Sequence, residues 1–258
     1  MSTAVTTPVG RMTSLARAEL TLLGRSKGTL FTALLVPLVL PFSVRAGVKQ
    51  MDLAGTGLSV GTIVVPAAIG FSLLFAVYAG LVGVFTARRE ELVLKRLRTG
   101  ELRDAEILGG SALPVVATGL AQSVILAVGC TLLLGLAAPP ALYLALLGLL
   151  LGLVMCAVLA AVTSAFTRSM ESAQVTTLPL MLVSMIGSGM FVPLEVLPDR
   201  LAAICERLPL TPVITLLRGG WTGDLSVSDA FGPLVTALAW IVVGVFAVQR
   251  RFRWEPRR

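Results

Sequence analysis

The chain has 258 residues, of which 56% are hydrophobic and 14% charged, with a mean hydropathy of +0.91 and a formal net charge of +7. So few polar groups cannot cover the surface of a soluble domain this long, and a bilayer is the solvent that suits it. There is no histidine, and Cys130, Cys156 and Cys205 stand at scattered spacing. A histidine-based catalytic or metal site is therefore excluded, and no disulfide framework is expected.

The first fourteen residues are polar and hold no apolar core, and the first apolar run begins too late for a cleavable signal peptide. Residues 11–27 interleave Leu15, Leu20, Leu22 and Leu23 with Arg17, Glu19 and Arg25, the pattern of an amphipathic interfacial helix feeding a first span. Charge-free runs then mark six transmembrane helices, at about 28–44, 60–86, 107–136, 141–166, 174–194 and 230–249. The sequence AAPP at 137–140 supplies the turn between the third and fourth, because proline lacks an amide donor and disfavours helix before it. The expectation is an all-α membrane protein forming one six-span domain over 1–258.

Orientation follows from lysine and arginine placement. With the amino terminus inside, 16 of these residues fall in cytoplasmic segments and 5 outside (Arg45, Lys49, Arg200, Arg207 and Arg218). Both termini are expected in the cytoplasm of a cell-membrane protein. The positive charge then reads as topology and contact with anionic lipid headgroups, with no nucleic-acid role.

Residues 88–104, RREELVLKRLRTGELRD, place ten charged side chains in seventeen positions. A solvated, topology-fixing loop is one reading and a docking helix for a soluble partner is the other. The composition favours docking. Residues 88–98 contain no Gly or Pro, Glu90 and Glu91 sit in a first turn, and Lys95, Arg96 and Arg98 sit in a last turn. Glu91 and Lys95 are four apart in the favourable order, and Val93, Leu94 and Leu97 form an apolar strip.

Further along, Gly148, Gly152, Cys156, Ala160 and Ser164 recur every fourth residue, a stripe that lets another helix approach closely. Phe71, Phe75 and Tyr78 share one helical face of the second span, and Met181, Ser184, Met185 and Ser188 share one of the fifth. Pro179, Gly187 and Gly189 predict a kink or broken turn in that fifth span. Residues 189–220 then hold two short helices. Leu201, Ile204, Cys205 and Leu208 give the first an apolar face from near Asp199, Thr211-Pro212 starts the second, and Gly219-Gly220 stops it. An external re-entrant or interfacial hairpin is expected.

The loop RREELVLKRLRTGEL resembles the coupling-helix loop of type 2 ABC exporter permeases. Glu90 matches the family's acidic position, Leu94 its leucine, and Lys95-Arg96-Leu97-Arg98 its basic core; Leu92-Val93 and Gly100-Glu101 depart from the usual Gly-Thr and Thr-Pro. The segment from Gly189 to Gly220 is similar to the family's Pro-Leu-x-x-Leu-Pro turn, short helix and Pro-Leu-Thr step, here carried by Pro193, Pro198, Leu201, Pro209 and Pro212. The resemblance implies an ATPase-coupling interface at Glu90, Glu91, Leu94, Arg96, Leu97 and Arg98. It also implies a substrate path lined from the second and fifth spans by the two faces named above.

No phosphate loop of the form G-x-x-x-x-G-K-[ST] occurs, and no catalytic or metal constellation is present in the sequence. The resemblance accordingly implies a separate ABC ATPase chain carrying ATP and Mg, and a second permease copy or paralogue completing the pathway. Alternating access would move the cargo. An uncharged path favours a hydrophobic drug-like or lipidic substrate. An ion-coupled secondary transporter is the alternative, but such proteins place an acid or base inside the membrane, and these spans hold none. A non-transporting scaffold is the other.

Overall fold

The structure is a computed structural model and describes residues 45–47, 59–99, 103–252 and 254–255. The predicted first span at 28–44 and the interfacial helix at 11–27 lie outside the described residues. Eight helices organise the rest: α1 (Val60–Glu90), α2 (Val93–Arg98), α3 (Asp104–Leu133), α4 (Leu142–Phe166), α5 (Met170–Gly187), α6 (Asp199–Cys205), α7 (Thr211–Thr222) and α8 (Val227–Arg251). A single 3-10 turn, Leu194–Val196, stands between α5 and α6.

Four of these, α1, α3, α4 and α8, are long and apolar enough to cross a membrane, with 31, 30, 25 and 25 residues. At 1.5 Å per residue each exceeds the roughly 30 Å of hydrocarbon. The expected fifth span is shorter than its predicted 174–194. It starts early because Ser169 caps it, its hydroxyl accepting from the Ser172 amide, and it ends at Gly187 before Gly189 turns left-handed with φ 75°. With 18 residues and a first half holding Glu171, Gln174, Thr176 and Thr177, α5 is not among the helices long and apolar enough to cross.

Helices α1, α3 and α4 alternate in direction. The carboxyl end of α1 meets the carboxyl end of α4 and the amino end of α5, while the amino end of α1 meets the segment after α3 through Gly61 and Leu136. Between α3 and α4 the chain turns at 134–141, and the Ala141 amide donates to the Gly220 carbonyl of α7.

The core surrounds α1, whose Ile63, Val65, Phe71, Leu74, Val77 and Leu81 are fully buried. Helix α7 is buried along most of its length and lies against α4. Gly148 and Gly220 permit this: a Cβ at Gly220 would stand 2.7 Å from the Ala145 Cβ and 2.8 Å from its backbone nitrogen. All five members of the small-residue stripe on α4 are buried as well.

The middle of α1, Leu73–Ala79, is a π-helix. Wider turns of this kind shift every later side chain around the axis, by about 100° per added residue. Tyr78 consequently points at α4, its hydroxyl 3.0 Å from Thr163 Oγ1. Ser72 marks the start of this segment, donating to the Gly119 carbonyl at 3.5 Å and accepting from Ser123 at 3.1 Å.

Candidate functional site

The loop of residues 88–104 does not form one helix. Leu92 adopts a left-handed conformation (φ 58°), which ends α1 at Glu90 and starts a separate six-residue α2. Every ordinary side chain resists that conformation, so the break is held by what surrounds it. Glu90 and Glu91 therefore lie at the carboxyl end of α1, where its dipole disfavours acid, and not in the first turn of a docking helix. Their partners explain how they are tolerated.

Arg89 and Glu90 reach in different directions. Arg89 is 1% exposed, and its two terminal nitrogens donate to the Ser164 carbonyl at 2.7 Å and the Thr167 carbonyl at 2.5 Å. Those carbonyls close the last turn of α4, where four acceptors lack helical partners and a cation is favoured. Glu90 accepts from the Met170 amide, 3.1 Å away, at the first turn of α5. There orphan donors and the positive dipole end favour a carboxylate. One arginine and one glutamate, adjacent in sequence, thus satisfy opposite ends of two further helices. Glu91 pairs instead with Arg88 at 2.9 Å.

Helix α2 is fixed from below by Leu94, which is fully buried, with Leu97 half-buried beside it. Of its three cations, Lys95 pairs with Glu255 at 2.8 Å and Arg98 with Asp104 at 3.1 Å. Arg96 is exposed and has no side-chain partner among the described residues. Leu92 is likewise exposed, at 39%. Of the six residues expected at a partner interface, the structure therefore turns Leu94 inward and engages Glu90, Glu91 and Arg98 within the chain. Arg96 and the neighbouring Leu92 remain on the outer surface.

The face expected to line a path is distributed. Phe71 is buried against Phe191, ring centroids 5.2 Å apart, and Tyr78 against α4. Phe75 and Met185 are half-buried at the rim of the core, on neighbouring helices. Met181, Ser184 and Ser188 are buried, the two serine hydroxyls with no hydrogen-bond partner among the described residues. The outer face of α5 is apolar and exposed at Val175, Leu178, Leu182 and Ile186.

At the opposite end, Pro193, Pro209 and Pro212 are buried whereas Pro198 and Leu201 are exposed. Helix α6 covers seven residues and buries none; it ends at Cys205, so Leu208 lies beyond it. Helix α7 starts at Thr211 as expected but passes through Gly219-Gly220, because both glycines are packed against neighbours, and stops at Gly223 with φ 74°. Arg218, counted above as an external loop charge, is buried in α7 and donates to the Gly189 carbonyl at 2.6 Å. A cavity of about 640 Å³ opens between α6, α7 and α8, bordered by Asp199, Glu206, Arg207 and Thr236.

Sequence reasoning missed Arg89, Arg218 and the tail residues Trp254 and Glu255, all of which it treated as loop or topological charge or passed over. For Arg89 the signal was its place one turn beyond a long apolar run; nothing local marked the other three. No cluster of metal-ligating side chains occurs among the described residues. A family model described as ABC-2 type transporter matches residues 11–221, most of the chain, while no curated protein matches it.

Proposed function

The chain belongs to the ABC-2 type transporter family, and from that premise we propose that this membrane permease subunit serves an ATP-driven exporter. It acts as a dimer of this chain, or with a paralogue, and binds separate ATPase subunits that hold ATP and Mg. Both termini lie in the cytoplasm, and the membrane is the cell membrane. The cargo is a hydrophobic drug-like or lipidic molecule, moved by alternating access.

One observation carries this reading: α2 is a short helix packed against α1 and α3, next to the end of α1 that holds α4 and α5, anchored inward by Leu94 and presenting Arg96 outward. A push on α2 is transmitted at once to α1, through the Leu92 break, and from α1 to α4 and α5 through Arg89 and Glu90. Arg96, Leu92 and the exposed part of Glu91 form the partner contact, with Leu94, Leu97 and Arg98 holding it in place. The path is built from the rim side chains Phe75 and Met185 with the buried Ser184 and Ser188 hydroxyls, beside Phe71, Tyr78 and Met181.

The test is reconstitution in vesicles with the phosphate-loop ATPase encoded nearest this gene. The expected results are a native mass of two permeases with two ATPases, and ATP-dependent movement of a lipophilic dye. Phe75→Ala and Met185→Ala change the profile across several dyes without lowering abundance. Movement that needs a proton gradient and ignores ATP would replace export by ion-coupled transport.

A further inference from the structure

The segment after α8 folds back onto α2. Glu255 pairs with Lys95 at 2.8 Å, and the Trp254 ring stands 4.8 Å from the Arg98 guanidinium. Trp254 packs edge-on against Phe252 with centroids 5.0 Å apart, and Phe252 packs edge-on against Phe85 of α1 at 6.4 Å. A continuous set of contacts therefore runs from α8 through the tail to both α1 and α2. The ion pair is half-exposed and weak by itself. A cation over an indole face and stacked aromatic rings add to it at a second point, so α2 is held at Lys95 and again at Arg98, one turn apart.

We propose that Phe252, Trp254 and Glu255 are a brace that positions α2 and ties it to the last span. Trp254 and Glu255 are positioning residues: they fix the angle at which Arg96 is presented and carry motion of α2 into α8, a helix that Arg89 and Glu90 do not reach. The tail also occupies Lys95, which would otherwise compete with Arg96 for an acidic partner surface. The consequence for transport rests on the exporter reading above; the brace itself does not.

Hydrogen exchange of the α2 backbone amides, measured on the full-length protein in lipid vesicles, tests the brace without any ATPase. Trp254→Ala and Glu255→Lys are each expected to speed exchange of α2 by about two- to fivefold, as loss of one cation–π contact or one ion pair would. Exchange in α1 and α4 stays as in the wild type, which shows that the bundle is intact. The charge swap Lys95→Glu with Glu255→Lys restores slow exchange. Unchanged α2 exchange in both single variants, or a swap no slower than Glu255→Lys, would overturn the brace. With the ATPase present, Trp254→Ala lowers the dye moved per ATP hydrolysed. A wild-type complex that never moves dye with ATP removes the exporter reading alone, whereas a working transporter indifferent to Trp254 in both measurements removes the brace.

Discussion

Helices α1 and α8 have the same mean hydropathy over their most apolar stretches, yet 83% of that stretch is buried within the chain in α1 and 11% in α8. Hydropathy reports which segments leave water; it does not report which leave lipid. The difference lies in neighbours. Helix α1 is packed by α3, α4, α5 and α7 and fills the space between them with bulky side chains on every side. Helix α8 touches α4 and α7 along one line, where Ala230, Ala237 and Gly244 are its buried residues. Those three recur every seventh position, a narrow seam of small side chains of the kind that brings membrane helices together. Phe231, Leu238, Val242 and Phe246 face away and are exposed.

The largest expected effect breaks the α1 side of this comparison. Gly152 of α4 faces α1 and α7, and a Cβ there would stand 2.5 Å from Leu73 Cδ1 and 2.9 Å from Val213 Cγ1. Gly152→Leu overfills a junction of three helices and should cost about 3 kcal/mol. Thermal unfolding in detergent and the yield of monodisperse protein measure it; an unchanged transition would mean that the α1 environment is loosely packed.

Next comes the polar anchor of α1. Arg89→Ala leaves the Ser164 and Thr167 carbonyls without their buried donor and should destabilise by about 2–4 kcal/mol. Arg89→Lys keeps the charge but not the two-pronged geometry, and recovers part of the loss. The same thermal measurement ranks wild type above Lys above Ala.

Glu90→Lys sets a cation against the amino end of α5 and costs locally about 0.3–1 kcal/mol, so the protein still inserts. Its larger effect is on coupling: dye movement falls and substrate-stimulated ATP hydrolysis proceeds without it. Full transport by a well-expressed variant would favour a merely solvated loop.

The smallest effect belongs to α8. Val242 is 66% exposed, and Val242→Ala should change stability by no more than about 0.5 kcal/mol. A loss several times larger would reveal that another chain covers this face in the assembled protein.

Much of the architecture could be read before the structure. The charge-free runs near 60–86, 107–136, 141–166 and 230–249 became α3 and α4 within three residues at either end, and α1 and α8 within about four. Helix ends in a membrane are fixed by where charge and proline begin, and both are visible in one dimension. The stripe from Gly148 to Ser164 is legible for a similar reason, since small residues at helical spacing have little use except close approach. The loop of residues 88–104 stood out by charge density alone, and its basic core carried the family likeness.

What the sequence could not hold were the decisions made by residues far apart. Residues 88–98 satisfy every local preference for a continuous helix, and the break at Leu92 arises because Arg89 and Glu90 are claimed by the ends of α4 and α5, some eighty residues away. Local propensity is worth tenths of a kcal/mol per residue, whereas a buried arginine bound to two carbonyls at the end of α4 outweighs it. The same holds for Tyr78, displaced from the line of Phe71 by the π-helical turn, and for Arg218, which looks like a loop charge until α7 is seen to be buried. Sequence determined which segments of this chain belong in a membrane and which loop would carry the charge. Only tertiary structure decided which apolar helix became the core, because burial depends on the neighbours a helix acquires.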